Sequence, residues 1–166
     1  TMPPSVPGLR IQTVMRRKFM QLGGTLMQSD AVVRGHFENG KLVGVFTENH
    51  GEREFLADNF IIATGNFITH GLASTRDGVF EPALGLDIHC PVERKEWTAS
   101  DIFADQPFMS FGVATDATLH AVKDGKPVAN LYATGNVLGG FNAVKQGCTT
   151  GISLITGLYA AHQIIK

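Results

Sequence analysis

Apolar positions along the 166 residues change their spacing several times, and each change marks an element. Leu9, Ile11, Val14, Met15, Phe19 and Leu22 fall on one helical stripe edged by Arg16, Arg17 and Lys18, which predicts a helix closed by Gly23-Gly24. The basic triplet reads as its solvated face. Ahead of it, Thr1 to Gly8 carries three prolines and a glycine and reads as an extended lead-in. Thr25 to Phe37 and Leu42 to Glu48 read as strands around Glu38-Asn39-Gly40-Lys41, where Asn-Gly supplies the positive φ angles of a tight hairpin. Asn49 and Gly51 then turn the chain into a third strand, Arg53 to Ala57, completing a small antiparallel meander. Phe60 to Thr64 is a continuous apolar run, the pattern of a strand buried on both faces of a mostly parallel sheet.

Periodicity then lapses from Asn66 to Trp97, where Gly71, Gly78, Pro82, Gly85 and Pro91 break any regular pattern. Irregular segments of this length inside a domain are functional or disordered. Asp101 to Phe108 predicts a helical turn and Ser110 to Ala114 a short strand. Thr118 to Val122 and Val128 to Leu131 flank Lys123-Asp124-Gly125-Lys126, a second hairpin signal. The apolar run from Val128 to Thr134 ends in Gly135, and after a glycine-rich turn a helical pattern occupies Thr149 to Ile165.

That last strand, turn and helix form the stretch around which the chain is organised. A strand ending in glycine admits a ligand close to the backbone, and a helix start presents unpaired N–H groups that favour an anionic group. A connection that merely packs has the same pattern. The balance shifts because FIIATGN (Phe60 to Asn66) is echoed by LYATGN (Leu131 to Asn136): two apolar strands end in the same Ala-Thr-Gly-Asn. The echo is too short for a repeat. It predicts neighbouring strands whose carboxyl ends place small residues beside one ligand.

Composition narrows the field. With 43% apolar residues and a net charge of −1, the chain suits a globular protein with an ordinary core, and it lacks the basic excess that nucleic acid demands. No window approaches the roughly 18 apolar residues of a membrane span, and no leader pattern precedes Pro3. The chain is therefore expected to be soluble, with any membrane attachment made through a partner. Cys90 and Cys148 are far apart and have no metal-ligand spacing, and the six histidines are scattered. No metal site and a reducing compartment are expected.

The strand-ATG, the later strand-ATG, the GG turn and the small-residue helix opening resemble the second half of a glutathione-reductase-type flavoprotein domain. More narrowly, GLASTRDGVFEPALGL (Gly71 to Leu86), FMSFGVATDAT (Phe108 to Thr118) and Asn130 to Gly147, with its VLGGFNAVKQG, resemble the B subunits of anaerobic glycerol-3-phosphate dehydrogenases. The resemblance runs from PPSVPG at Pro3 to Gly8 through the final helix. It implies an α/β fold: a partial flavin-binding fold with a mixed or parallel sheet, helices and a small antiparallel meander. Residues 9–65 and 119–166 would be flavin-binding parts flanking an irregular substrate-side segment, 66–118, with 1–8 as lead-in.

The resemblance further implies flavin, as FMN or FAD, held by Thr64, Gly65, Gly135, Asn136, Gly139, Gly140, Cys148, Thr149, Thr150 and Gly151. Asn136 stands where many such flavoproteins carry an acidic residue that grips the ribityl hydroxyls. An amide oxygen still accepts a hydrogen bond there, without the charge. Arg76, in a run where Asp77, Gly78, Glu81 and Pro82 also match the family, is a candidate phosphate ligand, although Arg-Asp-Gly is equally an ordinary turn. Lys145 is the second such candidate. Thr115 and Asp116 are candidate substrate neighbours, and His70 is a candidate base, a position where a lone histidine often serves structure alone.

The implied reaction is oxidation of glycerol 3-phosphate to dihydroxyacetone phosphate, with electrons passing to a quinone or to a fumarate- or nitrate-linked chain. The A and C subunits of such dehydrogenases are the implied partners, with cytoplasmic placement peripheral to the inner membrane through the C subunit. No Gly-x-Gly-x-x-Gly segment is present. The chain thus reads as the carboxy-terminal fragment of a longer subunit, inactive alone and prone to self-association through an exposed strand edge. A fumarate-reductase-like reductase and a non-catalytic assembly subunit with a relic flavin fold are the alternatives.

Overall fold

The computed structural model describes residues 5–166, so the first half of the expected lead-in lies outside the described residues. The chain forms two compact units, divided after Ala31. In the first, α1 spans Val6–Gln21. Ser5 caps it by accepting the Gly8 N–H at 3.2 Å, and Pro7 stands in the first turn, where its missing N–H leaves no bond unmade. The helix therefore starts ahead of Leu9 and takes in Pro7 and Gly8, which the prolines had suggested were extended. None of its residues is buried. Gly23, at φ +87°, ends it, and the Phe19 ring folds back onto Gly24.

The second unit opens with β1 (Val32–Glu38), β2 (Lys41–Thr47) and β3 (Phe55–Leu56), an antiparallel sheet in that order. Asn39 (φ +49°) and Gly40 (φ +77°) make the turn their residue types predicted. The first strand starts at Val32 rather than Thr25 because Val32 already pairs with Thr47, the last residue of β2. No ladder remains for the residues before it.

The central sheet is built from β4 (Phe60–Ile62), β9 (His120–Lys123) and β10 (Lys126–Ala133), in the order β4-β10-β9. β10 runs parallel to β4 and antiparallel to β9. Asp124 (φ +52°) and Gly125 (φ +74°) turn the second hairpin. Between β4 and β9 lie two short antiparallel ladders, β5 (Ala73–Ser74) with β6 (Val79–Phe80) and β7 (Ile88–His89) with β8 (Gly112–Val113). The helical turn expected at Asp101 to Phe108 is instead a 3-10 turn at Pro107–Ser110. The chain closes with α2 (Ala143–Gln146) and α3 (Thr149–Ile165), the latter at the predicted limits.

Leu42, Ile62, Leu86, Val113, Leu131 and Val137 form the core. Asn130, on β10, joins the meander to the central sheet: its amide oxygen accepts the Leu42 N–H at 2.9 Å, and its amide nitrogen donates to Leu42 O and Asp58 O. Glu81 is 2% exposed and accepts the N–H groups of Ala83 and Leu84, so this matched residue anchors its own turn. β4 departs from the expected double burial. It is an edge strand, and while Ile62 is buried, Ile61 is 48% exposed. The whole is the expected α/β arrangement of a mixed sheet, helices and a small antiparallel meander.

Candidate flavin site

Ala133 pairs with Ile62, and the Thr134 N–H donates to Ile62 O at 3.0 Å, so the two Ala-Thr-Gly-Asn segments leave the sheet side by side at one end. That is the juxtaposition the echo predicts. Parallel pairing is what places two carboxyl ends together.

The first tip closes on itself. The Asn66 side chain accepts the Ile68 N–H at 3.0 Å, and its carbonyl accepts the Gly71 N–H at 3.0 Å. The Thr69 hydroxyl donates to Thr64 O at 2.9 Å, lying so near Gly65 (φ +83°) that a Cβ there would stand 2.0 Å from it. Thr64 is exposed. His70 ends this loop in a left-handed conformation (φ +64°, ψ +17°), also exposed.

The second tip is buried through Ala133, Thr134 and Gly135, and its contacts come from distant elements. Gly135 adopts φ +70°, and its N–H donates to the Thr156 hydroxyl at 2.9 Å. Gly139 N–H donates to Val113 O and Gly140 N–H to Ser110 O, so both glycines of the GG turn hold the turn against β8 and its preceding segment. A Cβ on Gly139 would come 2.7 Å from His89 Cβ.

Asn136 differs from its counterpart. Its Oδ1 is buried and has no hydrogen-bond partner among the described residues. Buried acceptors in folded proteins are satisfied in the great majority, and an orphan marks a place where a donor is missing. Asn136 and Asn66 both line one cavity of about 70 Å³, whose other walls include Phe67, Phe108, Phe111 and Phe141. An uncharged acceptor among aromatic rings suits a hydroxyl or ring N–H on a flat, largely apolar group. The flavin implied by the sequence has both kinds of donor, so the residues present fit it. The cavity's size matches an edge of such a group and is well below the roughly 300 Å³ of a site enclosing a whole cofactor.

The remaining candidates do not line this cavity. Cys148, Thr149, Thr150 and Gly151 are not among its lining residues. The short α2 and Gly147, in a left-handed turn, intervene, and α3 meets the second tip further along, through Ser153 and Thr156. Cys148 provides no side-chain cap. Lys145 is exposed and ion-paired with Asp105. Arg76 is exposed in the turn between β5 and β6, and its carbonyl accepts from Arg94.

Asp116 makes a closed turn of its own, its Oδ1 accepting from Thr118 N, Thr118 Oγ1 and His120 N at 2.8–2.9 Å. Partial burial raises its pKa, but these bonds outweigh burial and leave it below the usual carboxylate value. Sequence reasoning missed the aromatic wall. Its only signal was Phe67 directly after the first tip and the close pair Phe108 and Phe111.

Among the described residues no group of three or more His, Cys, Asp or Glu is placed to hold a metal, and no helix is long and apolar enough to cross a membrane. No solved structure matches the chain. It is 41% identical over 166 residues to the B subunit of the anaerobic glycerol-3-phosphate dehydrogenase of Yersinia pseudotuberculosis, covering all of this chain and 39% of that protein. Proteins of the same name from Pectobacterium atrosepticum (40% over 166 residues) and Aliivibrio fischeri (38% over 178 residues) are similar over the same shares. The chain thus spans about two fifths of the length of these relatives. The family model described as FAD binding domain matches residues 1–152, and with nearly its whole length matched the chain belongs to that family.

Proposed function

We propose that this chain is part of a longer subunit of a flavin-dependent dehydrogenase that oxidises glycerol 3-phosphate to dihydroxyacetone phosphate. The observation that carries the flavin reading is the partnerless, buried Asn136 Oδ1 in the cavity that Asn66 also lines, at the paired strand tips. The proposed substrate is supported by the relatives' name and by the resemblance of the segment around Arg76. FAD, rather than FMN, is the form the family's description favours. When bound, the flavin supplies the hydride acceptor for the secondary alcohol carbon.

The chain's own residues orient and bind. Asn136 accepts a hydrogen bond from the cofactor's polar edge, and the phenylalanine wall keeps water from it. Arg76 and Lys145 are the proposed phosphate ligands. The Lys145–Asp105 pair is solvent-exposed and so exchanges for a phosphate at little cost. His70 is the proposed base for the hydroxyl proton, placed on the loop that also carries Asn66 and Phe67 into the cavity wall. The A and C subunits of such a dehydrogenase are the proposed partners, electrons leaving toward a quinone or a fumarate- or nitrate-linked chain. The C subunit would hold the assembly on the cytoplasmic side of the inner membrane.

Alone, the 166-residue chain is proposed to lack activity and to self-associate. Among the described residues β4 pairs on one side alone, and α3 turns Leu154, Ile155 and Leu158 outward, each at least 60% exposed. Light scattering that finds a strict monomer refutes self-association. For the function, the full-length subunit is purified anaerobically and its visible spectrum followed on adding substrate. Bleaching of bound flavin by glycerol 3-phosphate is the expected outcome. Bleaching by succinate instead would transfer the chain to the carboxylate reductases, and a colourless protein would leave an assembly role.

A further inference from the structure

The second strand tip is held by a helix far along the chain, and the bond that holds it has a fixed direction. Gly135 is buried in a left-handed conformation, and its N–H needs an acceptor there. It finds the Thr156 hydroxyl at 2.9 Å, on α3. That hydroxyl donates its own proton to Ile152 O at 2.6 Å, the usual back-bond of a mid-helix threonine. With its hydrogen so directed, the oxygen presents a lone pair to Gly135, and both roles of the group are fixed. Ser153 lies against Gly135 as well, but its hydroxyl donates to Thr149 O, and no bond joins it to the tip. Among the described residues the first tip has no such tie. Its nearby hydroxyl, on Thr69, serves carbonyls of its own loop.

We propose that Thr156 is a positioning residue: by accepting the Gly135 N–H it sets the turn that aims the buried amide oxygen of Asn136 at the cofactor. The inference rests on the reading that Asn136 meets the flavin. Thr156 touches no ligand itself. It converts the placement of α3 into the placement of the orphaned acceptor one residue beyond Gly135. Valine keeps the shape and loses the acceptor, whereas serine keeps the acceptor.

The test uses Thr156→Val, Thr156→Ser and Asn136→Ala in the full-length polypeptide, with amide hydrogen exchange at Gly135 and FAD affinity from flavin fluorescence. Thr156→Val is expected to speed exchange at Gly135 and to weaken FAD binding, each by about tenfold, the worth of one hydrogen bond. Thr156→Ser is expected to restore both to within about twofold, a rescue that loss of packing alone would not give. Unchanged exchange and affinity in a folded Thr156→Val protein overturn the proposal. So does failure of serine to rescue. If Asn136→Ala leaves affinity intact while Thr156→Val still loosens Gly135, the reading of Asn136 has failed and Thr156 is merely structural. If Asn136→Ala weakens binding while Thr156→Val does not, the flavin reading stands and the positioning role falls.

Discussion

The same four residues, Ala-Thr-Gly-Asn, end two adjacent parallel strands and come to opposite uses. Residues 63–66 are exposed or half-buried, and Asn66 caps its own loop. Residues 133–135 are buried, Gly135 is held from α3, and Asn136 is left with an unmatched acceptor. Local sequence supplies the glycine that permits the turn. Neighbours decide whether the asparagine oxygen finds a partner within the fold or is left without one.

The largest effect that would sharpen this contrast falls, against intuition, at the exposed tip. A Cβ on Gly71 would stand 2.1 Å from Gly65 O, a clash with backbone that no side-chain rotation relieves. Gly71→Ala is expected to lower stability by roughly 3 kcal/mol in urea titration. Gly135→Ala meets only Ser153 Oγ at 3.1 Å, together with the strain of φ +70°, and is expected to cost about 1–2 kcal/mol. If the buried glycine proves the more sensitive, local closure of the first tip has been overstated.

Next come the asparagines themselves. Asn66→Ala removes a cap and is expected to cost about 1 kcal/mol. Asn136→Leu removes an unpaired acceptor, so without cofactor its unfolding free energy is expected to stay level or rise by up to about 1 kcal/mol, while FAD affinity falls. A loss of stability equal to that of Asn66→Ala would erase the difference between the tips.

The smallest effects are in pH. Asp116 belongs to the turn that leads into β9, which pairs beside the second tip, and its pKa is below 3.8. Its contribution is therefore present above 3.8 and is lost as pH falls through the lower folded value. Acid unfolding of Asp116→Asn is expected to lack that part of the transition. In the meander, the hydrogen bond to Glu54, with charge from Glu54 and Glu38, raises His36 above 6.5 against a weaker opposing effect of desolvation. That contribution is full below 6.5 and fades as pH climbs through the raised value, and Glu54→Gln is expected to flatten it in thermal melts across neutral pH.

Much of this arrangement was legible in the sequence because it depends on local chemistry. Asn39-Gly40 and Asp124-Gly125 turn the hairpins they predict, and α3 matches its apolar pattern from Thr149 to Ile165. The adjacency of the tips was legible from their echo. What was not legible is set by distant partners. The start of β1 is fixed by where β2 ends, and the orphaned oxygen of Asn136 follows a turn fastened by a residue on another element. The cavity wall is assembled from segments near residues 67, 108 and 141, which no periodic pattern links. Pro7 misled for a different reason. The same ring that breaks a helix interior is welcome in its first turn.

The pairing of Phe60 with Leu131 also has a consequence for synthesis. β4 leaves the ribosome long before the strand that completes its ladder, and the meander waits for Asn130 to fasten it. A nascent chain stalled in that interval carries an apolar strand that still lacks its β10 partner. The stretch between the two tips is thus a window in which holdase chaperones have something to grip, and in which slow translation would favour clumping over maturation.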